Sequence, residues 1–464
     1  MAADDVLFLT VAELGERIRS RSVSPVDLTR SYLARIEKLD PTLHAFVTVT
    51  GDDALREATT AEKEIAGGRY RGPLHGIPYG AKDLLATRNA ATTWGAAPLA
   101  AQRFDYDATV IERLREAGAI LIGKLAMIEL AGGLGYTIPA ASATGAARNP
   151  WDTSRWTCGS SSGAGAAVSA ALVGFAIGSE TWGSIICPST FCGVTGLRPT
   201  FGRVSRYGAM ALSWTFDKLG PMARSAEDCE LVLRAIAGRD PKDEWSADEP
   251  VSSPETPGPN PKAMRVAFVK PEKGTDPGVQ RAYERALDDL RRIGVAPVEA
   301  TLPDLPFEPV ANILISAEAV AAFEDLFRDG RVRRLADRDA PLAAAQARAI
   351  TAPDLVKAAR IRTVCQRAMA EFFSNWDLLL APGEMMTAFP ADKSFADVAW
   401  SDPIGGMGNL CGLPGIAVPC GFGEGNLPAS LSIVGAAFEE PKVLALARAY
   451  QSATDWHRRR PPIT

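Results

Sequence analysis

Between Cys158 and Ser184 the chain is dense in glycine, alanine and serine, so its backbone can run close against whatever it meets. Two serines stand out in this stretch. Ser160 lies in Cys158-Gly159-Ser160-Ser161-Ser162-Gly163-Ala164-Gly165, and Ser184 lies in Gly178-Ser179-Glu180-Thr181-Trp182-Gly183-Ser184-Ile185. The run from Ala164 to Ile177 reads as a tightly packed helix whose N-terminus follows the Ser160 loop and turns positive dipole toward it. A serine beside such backbone can be a nucleophile with amide N–H groups at hand for an oxyanion. It still needs a base.

Histidine is a poor source of one. The chain has only His44, His75 and His457. His44 follows a Pro-Thr-Leu turn, His457 sits in a Trp-His-Arg-Arg-Arg tail, and only His75, in a Gly-Pro-Leu-His-Gly-Ile-Pro loop, is available for a Ser-His-Asp triad. The segment that follows offers Lys82, in Tyr79-Gly80-Ala81-Lys82-Asp83-Leu84-Leu85. A lysine between small residues and an apolar run is placed for burial, which disfavours its charged form and makes it a usable base near neutral pH. The plainer alternative is a surface lysine paired with an acid such as Asp83.

Further motifs run in order through the chain: Asn149-Pro150-Trp151-Asp152, Phe191-Cys192-Gly193-Val194-Thr195-Gly196-Leu197-Arg198-Pro199-Thr200, Gly202-Arg203-Val204-Ser205-Arg206-Tyr207-Gly208, Leu219-Gly220-Pro221-Met222-Ala223-Arg224, Gly412-Leu413-Pro414-Gly415-Ile416-Ala417-Val418-Pro419 and Thr454-Asp455-Trp456-His457. With the lysine segment and the two serine loops, this set resembles the amidase signature family over most of the chain. The resemblance implies a Ser-cisSer-Lys triad, with Lys82 as base, Ser160 as bridging serine and Ser184 as nucleophile. It implies a cis bond at Gly159–Ser160 and an oxyanion hole from the backbone of Thr181, Trp182 and Gly183, joined by Ser184. The spacing to Ser184 selects Ser160 over Ser161 and Ser162.

Departures from the family pattern bear on substrate. The paired glycines before the bridging serine become Cys158-Gly159, and the usual Thr-Gly-Gly-Ser becomes Thr181-Trp182-Gly183-Ser184. Trp182 is expected to wall the pocket. Ile186 stands where many relatives carry arginine, which argues against acidic acyl groups, since isoleucine cannot fork onto a carboxylate. Gly132 and Gly133 replace a polar stretch and should flank the site, while Glu384, Met385 and Met386 are candidates for the acyl side.

Composition fits an enzyme of small molecules. Lys plus Arg number 50 against 55 Asp plus Glu, a net charge of −5 with no basic stripe for nucleic acid. The start, Met-Ala-Ala-Asp-Asp-Val, is acidic where a secretory signal would be basic, and no apolar run is long enough to span a bilayer. The 7 cysteines include no CxxC pair. Reduced buried thiols, Cys187 and Cys192 among them, and a cytoplasmic setting are the expectation.

Short apolar runs alternating with helical stretches predict an α/β fold, a mixed central sheet covered by helices on both faces. A helical packing layer is expected over 1–70 and the catalytic α/β/α domain over 71–464. Within the latter, a Pro/Ser-rich linker is expected at about 239–262 and a helical region covering the pocket mouth at about 310–372. The expected activity is hydrolysis of the C–N bond of a neutral, partly apolar amide or aryl amide, with esters or carbamates as further substrates. No metal or organic cofactor, nucleic acid or membrane is implied, and a homodimer is possible. A glutamine-dependent amidotransferase component working with partner chains is the first alternative, and a noncatalytic scaffold the second.

Overall fold

The computed structural model describes residues 3–249, 258–398 and 402–463. Its framework is a mixed sheet. In chain order the strands are β1 (Phe46–Val49), β2 (Pro78–Lys82), β3 (Ile120–Leu125), β4 (Arg148–Asn149), β5 (Asp152–Trp156) and β6 (Phe175–Glu180). Then come β7 (Thr195–Arg198), β8 (Lys218–Ala223), β9 (Val266–Phe268), β10 (Val298–Glu299), β11 (Leu378–Pro382), β12 (Gly415–Phe422) and β13 (Pro428–Gly435). Among the described residues eleven of these form one sheet in the order β1-β3-β2-β6-β8-β7-β12-β13-β11-β9-β10, and β4 and β5 form a separate hairpin. Helices cover both sides.

Strand burial follows from this cover. β2, β6, β8, β11 and β13 are buried at every position, as their small and apolar residues require of strands packed on both faces. β2 runs parallel to both β3 and β6, with Ala81 opposite Lys124 and Ile177. β6 then pairs antiparallel with β8.

The N-terminal layer divides as its punctuation predicts. Thr10 caps Val11–Arg19 with a capping box to Glu13, and Ser24 caps Pro25–Leu43 with proline in the first turn. This layer is not purely helical, however: β1 joins the edge of the main sheet, pairing antiparallel with β3.

Two expectations need correction. The helix expected to run to Ile177 stops early, at Ser169, and Phe175–Glu180 is strand β6. A turn with Ala171 at φ 55° and the more apolar Phe175-Ala176-Ile177 run separate the two. Of the expected linker, residues 250–257 lie outside the described residues. The part before them is packed rather than free: Asp240, Asp243 and Ser246 are buried, and Asp240 accepts hydrogen bonds from Thr109 and Ser205. Beyond it, the region 310–372 is helical as expected, in segments Phe307–Ala322, Glu324–Arg328, Ala340–Arg348 and Ala352–Asn375.

Candidate active site

Ligands of open α/β sheets bind beyond the carboxyl ends of strands. Parallel β2 and β6 run side by side, Ala81 opposite Ile177, and β2 ends at Lys82 while β6 continues to Glu180. Lys82 is fully buried, and its Nζ lies 2.7 Å from Ser160 Oγ. Ser160 Oγ lies 3.0 Å from Ser184 Oγ, so the three side chains form one unbroken hydrogen-bonded line. The Gly159–Ser160 peptide bond is cis.

Burial pushes the Lys82 ammonium down to about 7, against the opposing pull of the Asp217 and Glu180 charges. The acid next in sequence does not pair with it. Asp83 turns instead to Lys124, 3.2 Å away, and accepts from the Thr93 N–H at 2.9 Å. His75 also lies elsewhere, its Nε2 3.3 Å from Glu64 and its Nδ1 accepting from the Arg71 N–H.

Two hydroxyls passed over in the sequence also reach the lysine. Ser161 Oγ and Ser179 Oγ each lie 2.9 Å from Lys82 Nζ. Ser179 is next to last in β6, the strand neighbouring β2, so its contact is set by sheet pairing and is invisible in spacing along the chain.

The loop from Thr181 to Ile185 is shaped by two buried carboxylates. Glu180 accepts the N–H groups of Ile185 (2.8 Å) and Ile186 (3.0 Å), together with Arg198 Nη1 (2.9 Å) and Asn409 Nδ2 (3.0 Å). Burial opposes its ionisation, but Arg198 and Lys218 hold its carboxyl down at about 2. Asp217 accepts from Thr181 Oγ1 (2.6 Å) and from the N–H groups of Leu212 (2.8 Å) and Ser213 (3.0 Å). Within the loop Gly183 takes φ +75°, which glycine alone adopts freely, and Trp182 keeps a negative φ. Gly406 packs close beside the Trp182 ring: a Cβ there would lie 3.1 Å from Cζ2 and 2.7 Å from Glu308 Cγ.

Ser184 opens onto a cavity of about 320 Å³ lined by Ala131, Gly132, Tyr136, Thr181, Trp182, Gly183, Leu212, Glu308, Asn312, Ile315, Glu384 and Asp402. Gly132 and Trp182 therefore stand where they were expected. Gly133, Ile186 and Met385 do not line it. Gly133 faces Phe323 and Leu212. Ile186 is buried at the start of the Ile186–Cys192 helix, its N–H given to Glu180. Met385 is buried one residue beyond the lining Glu384, in the bend that follows β11. Of the helical region, the first segment supplies Glu308, Asn312 and Ile315. Asp402, beside the loop, is raised to about 7 by burial and by the charge of Glu180.

Residues 27–444 match the model of the Amidase family. The chain belongs to the amidase signature family. It is 37% identical to a glutamyl-tRNA(Gln) amidotransferase subunit of Methylococcus capsulatus, over 97% of this chain and 98% of that protein. Among solved structures it is similar to the native peptide amidase of Stenotrophomonas maltophilia, at 32% identity and a TM-score of 0.82 over 98% of both chains. It is also similar to the corresponding glutamyl-tRNA(Gln) amidotransferase subunit of Thermotoga maritima, at 29% identity and a TM-score of 0.79 over 99% of this chain and 98% of that one.

One cysteine expectation is overturned in this chain. Cys158 and Cys187 form a buried disulfide between the Ser160 loop and the helix after Ser184. They are 29 residues apart, so only the packing of loop on helix brings them together. Cys192, Cys229, Cys365, Cys411 and Cys420 are free. No helix of the described residues is long and apolar enough to cross a membrane.

Proposed function

We propose that this protein hydrolyses the C–N bond of a small carboxamide through a seryl acyl-enzyme. The observation that carries the reading is the line Lys82 Nζ–Ser160 Oγ–Ser184 Oγ, with steps of 2.7 and 3.0 Å, ending at the wall of the cavity. As Ser184 Oγ attacks the carbonyl carbon, its proton passes to Ser160 while the Ser160 proton passes to neutral Lys82. The carbonyl oxygen gains the negative charge. The Ile185 and Ile186 amides are committed to Glu180, so the oxyanion role falls to the loop amides before them, those of Thr181, Trp182, Gly183 and Ser184.

When the tetrahedral intermediate collapses, the C–N bond breaks and the relay returns a proton to the departing nitrogen. Water then attacks the acyl-enzyme by the same path, releasing the carboxylic acid and restoring Ser184. Esters and carbamates enter the same chemistry wherever the leaving group fits. The cavity's apolar portion, Ala131, Leu212, Ile315 and the Trp182 ring, suits a partly apolar acyl group.

A panel of primary amides, anilides, esters and carbamates tests this, with ammonia or amine release as readout. Ser184→Ala is expected to abolish turnover. Lys82→Ala should lower kcat on amides by about 10²–10⁴-fold, the usual worth of general acid–base catalysis. Activated esters should suffer less, because their leaving oxygen needs little protonation. Equal turnover by wild type and Ser184→Ala would defeat the proposal.

The relatives named as amidotransferase subunits favour a second reading, in which the same half-reaction draws ammonia from glutamine for a partner chain. Against it, no lysine, arginine or histidine is found among the described cavity-lining residues to meet the α-carboxylate of glutamine. Ammonia release from glutamine exceeding that from simple amides would reverse this preference. The scaffold reading predicts instead that a sulfonyl fluoride leaves Ser184 unlabelled.

A further inference from the structure

We propose that the Cys158–Cys187 disulfide is a positioning clamp that holds Ser160 on Ser184, so that hydrolysis by this chain depends on the redox state of two cysteines. The inference rests on the reading of Ser160 as relay and Ser184 as nucleophile.

The cross-link joins the two serine segments close to the reacting groups. Cys158 stands two residues before Ser160, and Cys187 three residues after Ser184. Cys187 is also bonded into the loop assigned to the oxyanion, for its N–H donates to the Gly183 carbonyl at 2.8 Å. One sulfur therefore sits behind the oxyanion loop and the other behind the loop that carries the relay.

What else joins these two loops is slight. Among the described residues, hydrogen bonds between 158–162 and 183–187 are the Ser161 N–H to the Ser184 carbonyl, at 3.3 Å, and the 3.0 Å contact of the serine hydroxyls. The second is the proton path itself, which must break and re-form in every turnover. A fastener outside that path is needed, and the disulfide is one.

The chain accepts strain to make it. Cys158 holds φ +64°, in the left-handed region where a side chain is disfavoured and glycine would sit freely. Residues kept there against their preference cluster at functional sites. Both cysteines are fully buried, in one hydrophobic cluster with Ile128, Trp156, Phe191 and Phe389. A thiol behaves as a small apolar group in such surroundings, so reduction removes the tie without emptying the core. Cys192 lies nearby, its Sγ 3.7 Å from the carbonyl oxygen of Thr157. Burial pushes its thiol well up from the ordinary range, so it does not become the thiolate that disulfide exchange requires.

Reduction with dithiothreitol tests the clamp. The reagent gives up two electrons and two protons and closes to its cyclic disulfide, while Cys158 and Cys187 become thiols. Sub-denaturing urea opens the buried bond to it, and both are then removed. Alkylation of the denatured protein should count five thiols before treatment and all 7 cysteines after it. In the fully reduced form kcat on a carboxamide should fall about tenfold with KM little changed, since a small misplacement of reacting groups costs rate. Reoxidation by oxidised glutathione should restore it. Cys187→Ala should match the reduced enzyme and ignore dithiothreitol, which decides the matter even where the bond resists reduction. Full kcat in the reduced enzyme or in Cys187→Ala overturns the inference, as does a complete set of free thiols in active protein purified without reductant. Hydrogen exchange over 158–162 and 183–187 separates this test from the fate of the hydrolase reading. Faster exchange in both segments after reduction supports the clamp even without turnover, and unchanged exchange refutes it.

Discussion

Lys82 works in the proposed relay only when uncharged, and its burial at the end of β2 brings its pKa to about 7. The sign is simple: an ammonium cannot accept a proton, so kcat/KM should rise with pH through about 7 and then level off. Below that point it should fall about tenfold per pH unit, as for any single essential base. A profile flat from pH 5 to 9 would remove Lys82 from the role. Asp217 raises the proton affinity of Lys82, so Asp217→Asn should move the rising limb to lower pH while also loosening Thr181, which it holds at 2.6 Å. Glu180 makes a different residue-scale prediction. It and Arg198 form an ion pair, 2% or less exposed, that also holds the backbone after Ser184. Glu180→Ala leaves the arginine charge buried alone, which typically costs about 3–5 kcal/mol. Chemical denaturation should register that loss.

At the scale of elements, the Ser162–Ser169 helix determines how closely the serine loop can sit on the sheet. A Cβ on Gly163 would lie 2.2 Å from the Ala45 carbonyl oxygen and 2.6 Å from the Ala126 nitrogen, both rigid backbone. Gly163→Ala must therefore push the helix away and carry Ser160 with it. Overpacking of this kind costs about 1–3 kcal/mol. The variant should melt earlier and lose turnover out of proportion to its lost stability, as thermal unfolding and kcat measured on one preparation would reveal. The density of small residues here was legible in the chain because close packing leaves a local compositional trace, and so was the helical character of the layer before residue 71, which rests on local apolar spacing. The end of the helix at Ser169 was harder to read, since Ala170 to Phe175 carries no proline and only one glycine to mark the turn. Contacts between distant segments left no such trace. Cys158 with Cys187 and Ser179 with Lys82 exist only once strands and loops have been assembled. The glycine-rich serine loops and the resemblance to the amidase signature family pointed to the serines and the lysine but could not say which wall residues would face them.

Over the whole molecule, the residues before 71 were expected to form a separate packing layer, yet their contacts tie them into the catalytic framework. β1 completes the sheet edge against β3, with Phe46 opposite Leu125. The Ala45 carbonyl accepts from the Ala126 N–H at 2.8 Å, directly beneath the Gly163 backbone. Arg35 Nε donates to the Ala170 carbonyl at 2.8 Å, at the far end of the same helix, and the Ala12 N–H donates to buried Asp228 at 3.1 Å. Leu28, Tyr32, Ile36 and Leu39 belong to the same hydrophobic cluster as Tyr79, Ile122 and Phe175. Removing the layer would strip one face of β2, β3 and the serine helix, exposing apolar surface that contributes about 25 cal/mol per Å² when buried. The intact chain should therefore unfold with the N-terminal layer and the serine region lost together, so that hydrogen exchange in the Pro25–Leu43 helix and in β2 reports similar protection. A fragment beginning at residue 71 should fail to fold cooperatively. A soluble 71–464 fragment that retained hydrolysis, or a calorimetric scan of the full chain in which the first seventy residues melted in a step of their own, would show that the layer is an accessory and that the serine helix is held from the sheet side alone.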